Sequence, residues 1–152
     1  MGLDFLIKFL PAMIANSSPV IFSKLPMNIP INKKLFGKNK TWKGFILGSF
    51  SGGLTGYFLG FVNQRLNFQI GFLMGVGALF GDLIKSYFKR RLGKSEGEKW
   101  IPFDQIDWII GSISFTFYLF SLEEIILIFL ILPTLHILTN KIAVKLKLKK
   151  SI

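Results

Sequence analysis

A chain of 152 residues is one domain by length, and half of its residues are hydrophobic, with a mean hydropathy of +0.50, yet its formal net charge is +11. Soluble domains seldom join these properties, and apolar blocks separated by basic clusters describe an all-α integral membrane protein whose loops carry the charge. Cysteine is absent and His136 stands alone, which excludes disulfides, thiolate–metal chemistry and histidine-rich zinc sites. Most aromatics lie inside the apolar blocks, which argues against a nucleic-acid partner.

A spanning helix needs about 20 largely apolar residues. In chain order, the first candidate runs from Leu3 to Phe22 and is the weakest, with Asp4, Lys8, Pro11 and Pro19 inside it. A signal peptide is its rival reading. A signal's first residues are positive, however, and here Asp4 precedes Lys8, so a retained helix is expected. Gly44 to Val62 carries no charge and is the clearest span, and Phe68 to Ile84 is interrupted only by Asp82. Trp108 to Leu122 is short alone, but a start near Pro102 lengthens it, since proline is tolerated in a first helical turn. Ile125 to Asn140 holds Pro133. The expectation is about five transmembrane helices in one domain covering 1–152.

Charge sets the orientation. Lys24, Lys33, Lys34, Lys38, Lys40 and Lys43 form one cluster, and Lys85, Lys89, Arg90, Arg91, Lys94 and Lys99 a second. Lys141, Lys145, Lys147, Lys149 and Lys150 form a third, suited to anionic lipid head groups. With five spans all three fall on one side, which the positive-inside rule makes cytoplasmic, with the N-terminus outside and the C-terminus cytoplasmic. Lys8 and Arg65 fall elsewhere, and Lys8 is expected to snorkel towards an interface. The segments 23–43 and 89–102 are then the polar working surface, in a cell membrane with the active site facing the cytoplasm.

Gly48, Gly52, Gly56 and Gly60 recur every four residues, and the pairs Gly71/Gly75 and Gly77/Gly81 repeat the spacing. Tight helix packing accounts for them. Gly75-Val76-Gly77 with Gly81 lacks the spacing of a dinucleotide fingerprint, and Gly37-Lys38-Asn39-Lys40-Thr41 lacks the order of a phosphate loop. His136, deep in the last span, reads as a packing residue.

Acids are scarce, so their positions inform. Asp82, Asp104 and Asp107 sit at the cytoplasmic ends of helices, and a carboxylate within a span is costly enough to signal function. Ser86, Lys89 and Arg90 follow Asp82 at i+4, i+7 and i+8 and share its face. Asp104 and Asp107 are spaced i, i+3 at the positive start of the next helix. The plainer readings are helix capping, which suits Asp104, and a buried ion pair of Asp82 with a lysine such as Lys85. Capping fits Asp82 poorly, because it lies near a helix C-terminus where the dipole disfavours negative charge. Three converging carboxylates near many cations point to Mg²⁺ and phosphate, since Mg²⁺ takes one or two carboxylates plus phosphate oxygens and water.

At these residues the chain resembles a known family. Gly81-Asp82-Leu83-Ile84-Lys85-Ser86-Tyr87-Phe88-Lys89-Arg90 resembles the signature of CTP:phosphatidate cytidylyltransferases, which has Gly-Asp and then Ser-x-x-Lys-Arg. Pro102-Phe103-Asp104-Gln105-Ile106-Asp107 resembles its closing Pro…Asp-Arg-x-Asp, and Lys40-Thr41-Trp42-Lys43-Gly44-Phe45 its Lys-Thr-Trp-Glu-Gly-Phe. Gly-His-Gly-Gly before the last acids is absent, Gln105 replaces the arginine, and Ser95-Glu96 stands near the place of a missing Lys-Asp pair. These departures, the short chain, and Ala15-Asn16-Ser17-Ser18-Pro19 resemble instead the archaeal branch, the CDP-archaeol synthases. The likeness covers about residues 15 to 111.

The resemblance implies the reaction: CTP and an isoprenoid glycerolipid phosphate, digeranylgeranylglyceryl phosphate, give CDP-archaeol and pyrophosphate with Mg²⁺, in an archaeal membrane. On that reading Asp82, Asp104 and Asp107 hold Mg²⁺, and Lys89 and Arg90 hold triphosphate oxygens. Lys40 and Thr41 contact a phosphate, Ser86 orients a phosphate or a metal-bound water, and Asn16 and Ser17 line the cavity near the lipid phosphate. The alternatives are a diacylglycerol phosphate substrate, a small cation-coupled transporter with Asp82 as an ion site, and a non-catalytic scaffold. A transporter usually carries inverted repeats, which are not seen in this sequence.

Overall fold

A computed structural model describes residues 4–145. It is built from α1 (Asp4–Phe22), the short α2 (Lys33–Phe36), α3 (Trp42–Leu59), α4 (Phe68–Arg91), α5 (Phe103–Thr116) and α6 (Leu122–Lys145), with a 3₁₀ turn at Phe117–Leu119. Among the described residues there is no strand, only an isolated antiparallel bridge between Pro30 and Thr41. Each of the five predicted apolar segments overlaps a helix, and four of these helices are 18 residues or longer. Lys141 and Lys145 lie on α6, while Lys147, Lys149 and Lys150 lie outside the described residues.

Side-chain chemistry sets the helix starts. The Thr41 hydroxyl accepts from the Gly44 N–H at 3.0 Å and caps α3, and Asn67 accepts from the Ile70 N–H at 2.9 Å and caps α4. Asn32 does the same for α2. Around α2, the Ile31 N–H donates to the Lys40 carbonyl and the Trp42 N–H to the Ile29 carbonyl, which closes 31–40 into a loop and returns Lys40 to the start of α3.

Helix α5 departs from expectation. A segment reaching Leu122 was predicted, but the α-helix stops at Thr116 after 14 residues. At 1.5 Å per residue it is about 21 Å long, less than the roughly 30 Å of a bilayer core. The 3₁₀ turn and 120–121 complete the passage to α6.

The glycine ribs act as contact surfaces. Helix α3 buries Gly44, Gly48, Ser49, Gly52, Gly53 and Gly56, and exposes Ile46, Phe50, Leu54, Tyr57 and Phe58. Small residues inside and large apolar ones outside suit a helix surrounded by lipid. A Cβ on Gly52 would lie 2.7 Å from the Gly71 carbonyl oxygen, and one on Gly56 2.5 Å from that of Asn67. The opposite face of α4 meets α5 as closely: Gly77 faces the backbone of Gly111, and Gly81 faces the Asp107 carbonyl. Helix α4 is therefore clamped between α3 and α5, and its last turns sit beside the first turns of α5. Phe5 and Phe9 of α1 pack with Met74, Trp108, Phe120, Ile128 and Leu132 in the apolar core. The His136 ring lies 5.5 Å from that of Trp108.

Two helices, Asp4–Phe22 and Phe68–Arg91, are long and apolar enough to cross a membrane by length and composition.

Candidate active site

The close approach of α4 to α5 at Gly81 brings the three aspartates to one point. That point is the Lys85 ammonium. Its Nζ lies 3.0 Å from Asp82 Oδ1, 3.2 Å from Asp104 Oδ1 and 2.9 Å from Asp107 Oδ2. Two more lysines close the ring. Lys40, returned by the 31–40 loop, pairs with Asp82 Oδ2, and Lys89 donates to both oxygens of Asp104 at 3.2 and 3.3 Å. Three carboxylates thus meet three ammonium groups. Asp104 also accepts from the Trp100 N–H at 2.5 Å, which fixes the entry to α5.

Asp107 is the most enclosed of the three, with its side chain 6 % exposed, and its Oδ1 is buried without a hydrogen-bond partner. A buried anionic oxygen left unpaired is costly. Among the described residues, no set of three or more histidine, cysteine or acidic side chains is spaced to hold a metal ion as it stands. The carboxylates are arranged about an ammonium instead. Beside them is a small cavity of about 50 Å³, lined in part by Asn39, Lys40, Thr41, Asp82 and Pro19 of α1. It has room for an ion or a few waters, whereas pockets for drug-sized ligands run to several hundred Å³.

The other predicted site residues divide. Asp82, Asp104, Asp107, Lys89 and Lys40 are brought together. Ser86 is buried, but its hydroxyl donates to the Asp82 carbonyl at 2.8 Å along its own helix. The Thr41 hydroxyl is engaged as the α3 cap while the residue lines the cavity. Arg90 turns from the aspartates and donates to the Ser95 carbonyl at 3.1 Å. Asn16, half-buried, and Ser17, exposed, lie on α1 one turn before Pro19 and are not among the lining residues of the cavity. Lys85 was missed as a site residue. Its i, i+3 spacing from Asp82 marked it only as an ion-pair partner.

The 92–102 loop is tied over this end of the bundle. Lys89 Nζ reaches the Glu98 carbonyl, and Glu96 Oε1 accepts from the Lys38 N–H at 2.8 Å, linking the two lysine-rich loops. That carboxylate packs against Gly37, whose φ of +89° is a conformation that favours glycine. The Lys94 ammonium, hydrogen-bonded to the Glu98 carboxyl, holds its pKa down at about 2. A depressed carboxyl keeps its tie above that value and loses it only as the pH falls through it, so this loop contact is intact across the neutral range.

A larger cavity of about 480 Å³ opens at the opposite end, lined by Asp4, Lys8, Asn63, Arg65 and Glu124 among others. Lys8 does not snorkel there. It is 2 % exposed and paired with Glu124 at 2.5 Å and Asp4 at 3.6 Å, because acids on α1 and α6 neutralise it in place.

The family described as CarS-like, CDP-archaeol synthase, matches residues 2–152. A CDP-archaeol synthase of Pyrobaculum islandicum is 34% identical, covering 97% of this chain and 96% of its own, and one of Pyrococcus furiosus is 36% identical, covering 92% and 91%. A solved structure described as an intramembrane enzyme for archaeal membrane lipids biosynthesis superposes with a TM-score of 0.78 at 28% identity, over 89% of this chain and 91% of that one.

Proposed function

The chain belongs to the CarS-like CDP-archaeol synthase family, whose activity is CTP-dependent CMP transfer in archaeal lipid biosynthesis, and we propose that it performs this transfer at the aspartate cluster between α4 and α5. The observation that carries the placement is the convergence of Asp82, Asp104 and Asp107 on one cation position, beside Lys40 and Lys89. The acceptor is an isoprenoid glycerolipid phosphate whose chains lie among the helices in the bilayer. Five helices cross the membrane, with the lysine-rich loops and the cluster on the cytoplasmic side, where CTP is found.

The donor set fits Mg²⁺. Carboxylate oxygens are the hard ligands this ion prefers, and the buried Asp107 Oδ1 lacks a partner. Asp82, Asp104 and Asp107 would hold it. Held there, the ion would supply positive charge against the phosphates of CTP.

The remaining work belongs to the chain. An oxygen of the lipid phosphate forms a bond to the α-phosphorus of CTP, and the bond from that phosphorus to the bridging oxygen breaks with departure of pyrophosphate. The attacking phosphomonoester is already ionised, so no base is needed. Lys40 and Lys89 turn their ammonium groups to phosphate oxygens, and their part is positioning and charge neutralisation. Arg90 and the 92–102 loop hold the far end of the triphosphate. Thr41 keeps Lys40 in place by capping α3, and Ser86 keeps the turn of Asp82 rigid.

The direct test incubates the purified protein in detergent with labelled CTP, Mg²⁺ and either the isoprenoid glycerol phosphate or a diacylglycerol phosphate. CDP-lipid formation with the first is expected. Asp107→Asn should lower kcat by about a thousandfold while the protein still elutes as a folded species. Full activity in that variant removes the cluster from the reaction.

A further inference from the structure

Among the cations facing the cluster, Lys85 lies outside the proposed substrate contacts, yet it sits at its centre. Its side chain is 14 % exposed, and its Nζ contacts all three carboxylates within 3.2 Å. Lys40 and Lys89 each reach only one of the aspartates. Three acids drawn together with no cation among them would repel strongly in this partly buried setting, so something positive must occupy the middle in every state. The adjoining cavity of about 50 Å³, which Lys40 and Asp82 line, is smaller than a nucleotide site.

We propose that Lys85 is the resident cation of the cluster: in the nucleotide-free protein its ammonium holds Asp82, Asp104 and Asp107 in register, and a divalent cation binds by displacing it. Lys85 is thus a positioning residue that also sets the metal affinity. The inference rests on the assignment of the three aspartates to a divalent cation. The orphan Asp107 Oδ1 supports that assignment independently, as an acceptor that the lysine leaves unused. Because ammonium and metal compete for the same oxygens, removal of one tightens binding of the other. The displaced Lys85 ammonium then lies next to incoming phosphate charge, so metal and nucleotide assist one another's binding.

The test titrates Mn²⁺ alone, followed by the loss of its free electron-paramagnetic resonance signal, into wild type, Lys85→Met, Lys85→Arg and the double variant Lys85→Met/Asp107→Asn, all nucleotide-free in detergent. Lys85→Met should bind Mn²⁺ about tenfold more tightly than wild type, and its thermal midpoint should be lower without Mn²⁺ and recover with it. Lys85→Arg, which keeps the charge, should bind no more tightly than wild type. An affinity in Lys85→Met equal to or weaker than wild type overturns the resident-cation role. Retention of tight Mn²⁺ binding by the double variant overturns instead the underlying carboxylate assignment, so the two failures differ. Wild type gives a further readout that needs no substitution. Acylation of Lys85 by an amine-reactive ester, read by mass spectrometry, should rise severalfold at saturating Mn²⁺. Unchanged labelling there sinks the displacement.

Discussion

Asp82 shows how much one residue carries. It lies about two and a half turns before the end of α4, which runs on to Arg91, and it is held by Lys40 from one loop and Lys85 from its own helix. Lys40 reaches it only because the 31–40 loop is closed by backbone hydrogen bonds to Ile29 and Ile31. Lys40→Ala should therefore raise the KM for CTP by about tenfold with kcat reduced by less than about threefold, measured in steady state, because it removes a binding charge and leaves Lys85 on Asp82. An unchanged KM clears Lys40 of the phosphate contact. The three aspartates were legible in the sequence, since acids are rare in this chain and costly within spans. The shared ammonium was not. Spacing relates Lys85 to Asp82 on one helix, but that Asp104 and Asp107 reach the same nitrogen depends on how closely a second helix approaches.

That approach is a property of elements. The α4 rib of Gly77 and Gly81 meets the Gly111 region of α5 with backbone against backbone, and a Cβ on Gly111 would lie 2.9 Å from both the Cα and the N of Gly81. Gly111→Val must push the helices apart. Overpacking of this kind costs about 1–3 kcal/mol, so the variant should show a lower thermal midpoint in detergent and lose CMP transfer together with it, as the aspartates separate. Wild-type stability in that variant would mean that the helices are not in contact there. The four-residue glycine spacing on α3 and the approximate positions of helices α1, α3, α4 and α6 could be read from the sequence, because apolar length is local. The early end of α5 at Thr116 was harder to read, because no charge, glycine or proline interrupts 112–122; the local signal there is Ser121-x-x-Glu124, whose reciprocal hydrogen bonds cap the start of α6.

At the scale of the whole molecule, the charge pattern divides the chain into two ends. The aspartate cluster and the lysine-rich loops share one, and the Lys8–Glu124 pair with Arg65 lies at the other. The proposed orientation is open to labelling because the chain has no cysteine of its own. Both Lys34 and Gln64 are exposed and outside the long helices. In intact cells a membrane-impermeant maleimide should label Gln64→Cys, and should label Lys34→Cys only after permeabilisation. The reverse pattern inverts the topology, and labelling of both sites from outside removes the membrane from between them.

By itself the sequence determined the helical class, the apolar segments, the division of charge and the identity of the three acids. Each of these follows from composition and spacing along a single helix or loop. Only the tertiary structure decided that α4 lies between two glycine contacts, that Lys85 stands at the centre of the carboxylates, that Arg90 turns to the 92–102 loop, and that Lys8 is paired rather than snorkelled. Those outcomes depend on the distance and angle between helices far apart in the chain, which no local pattern encodes.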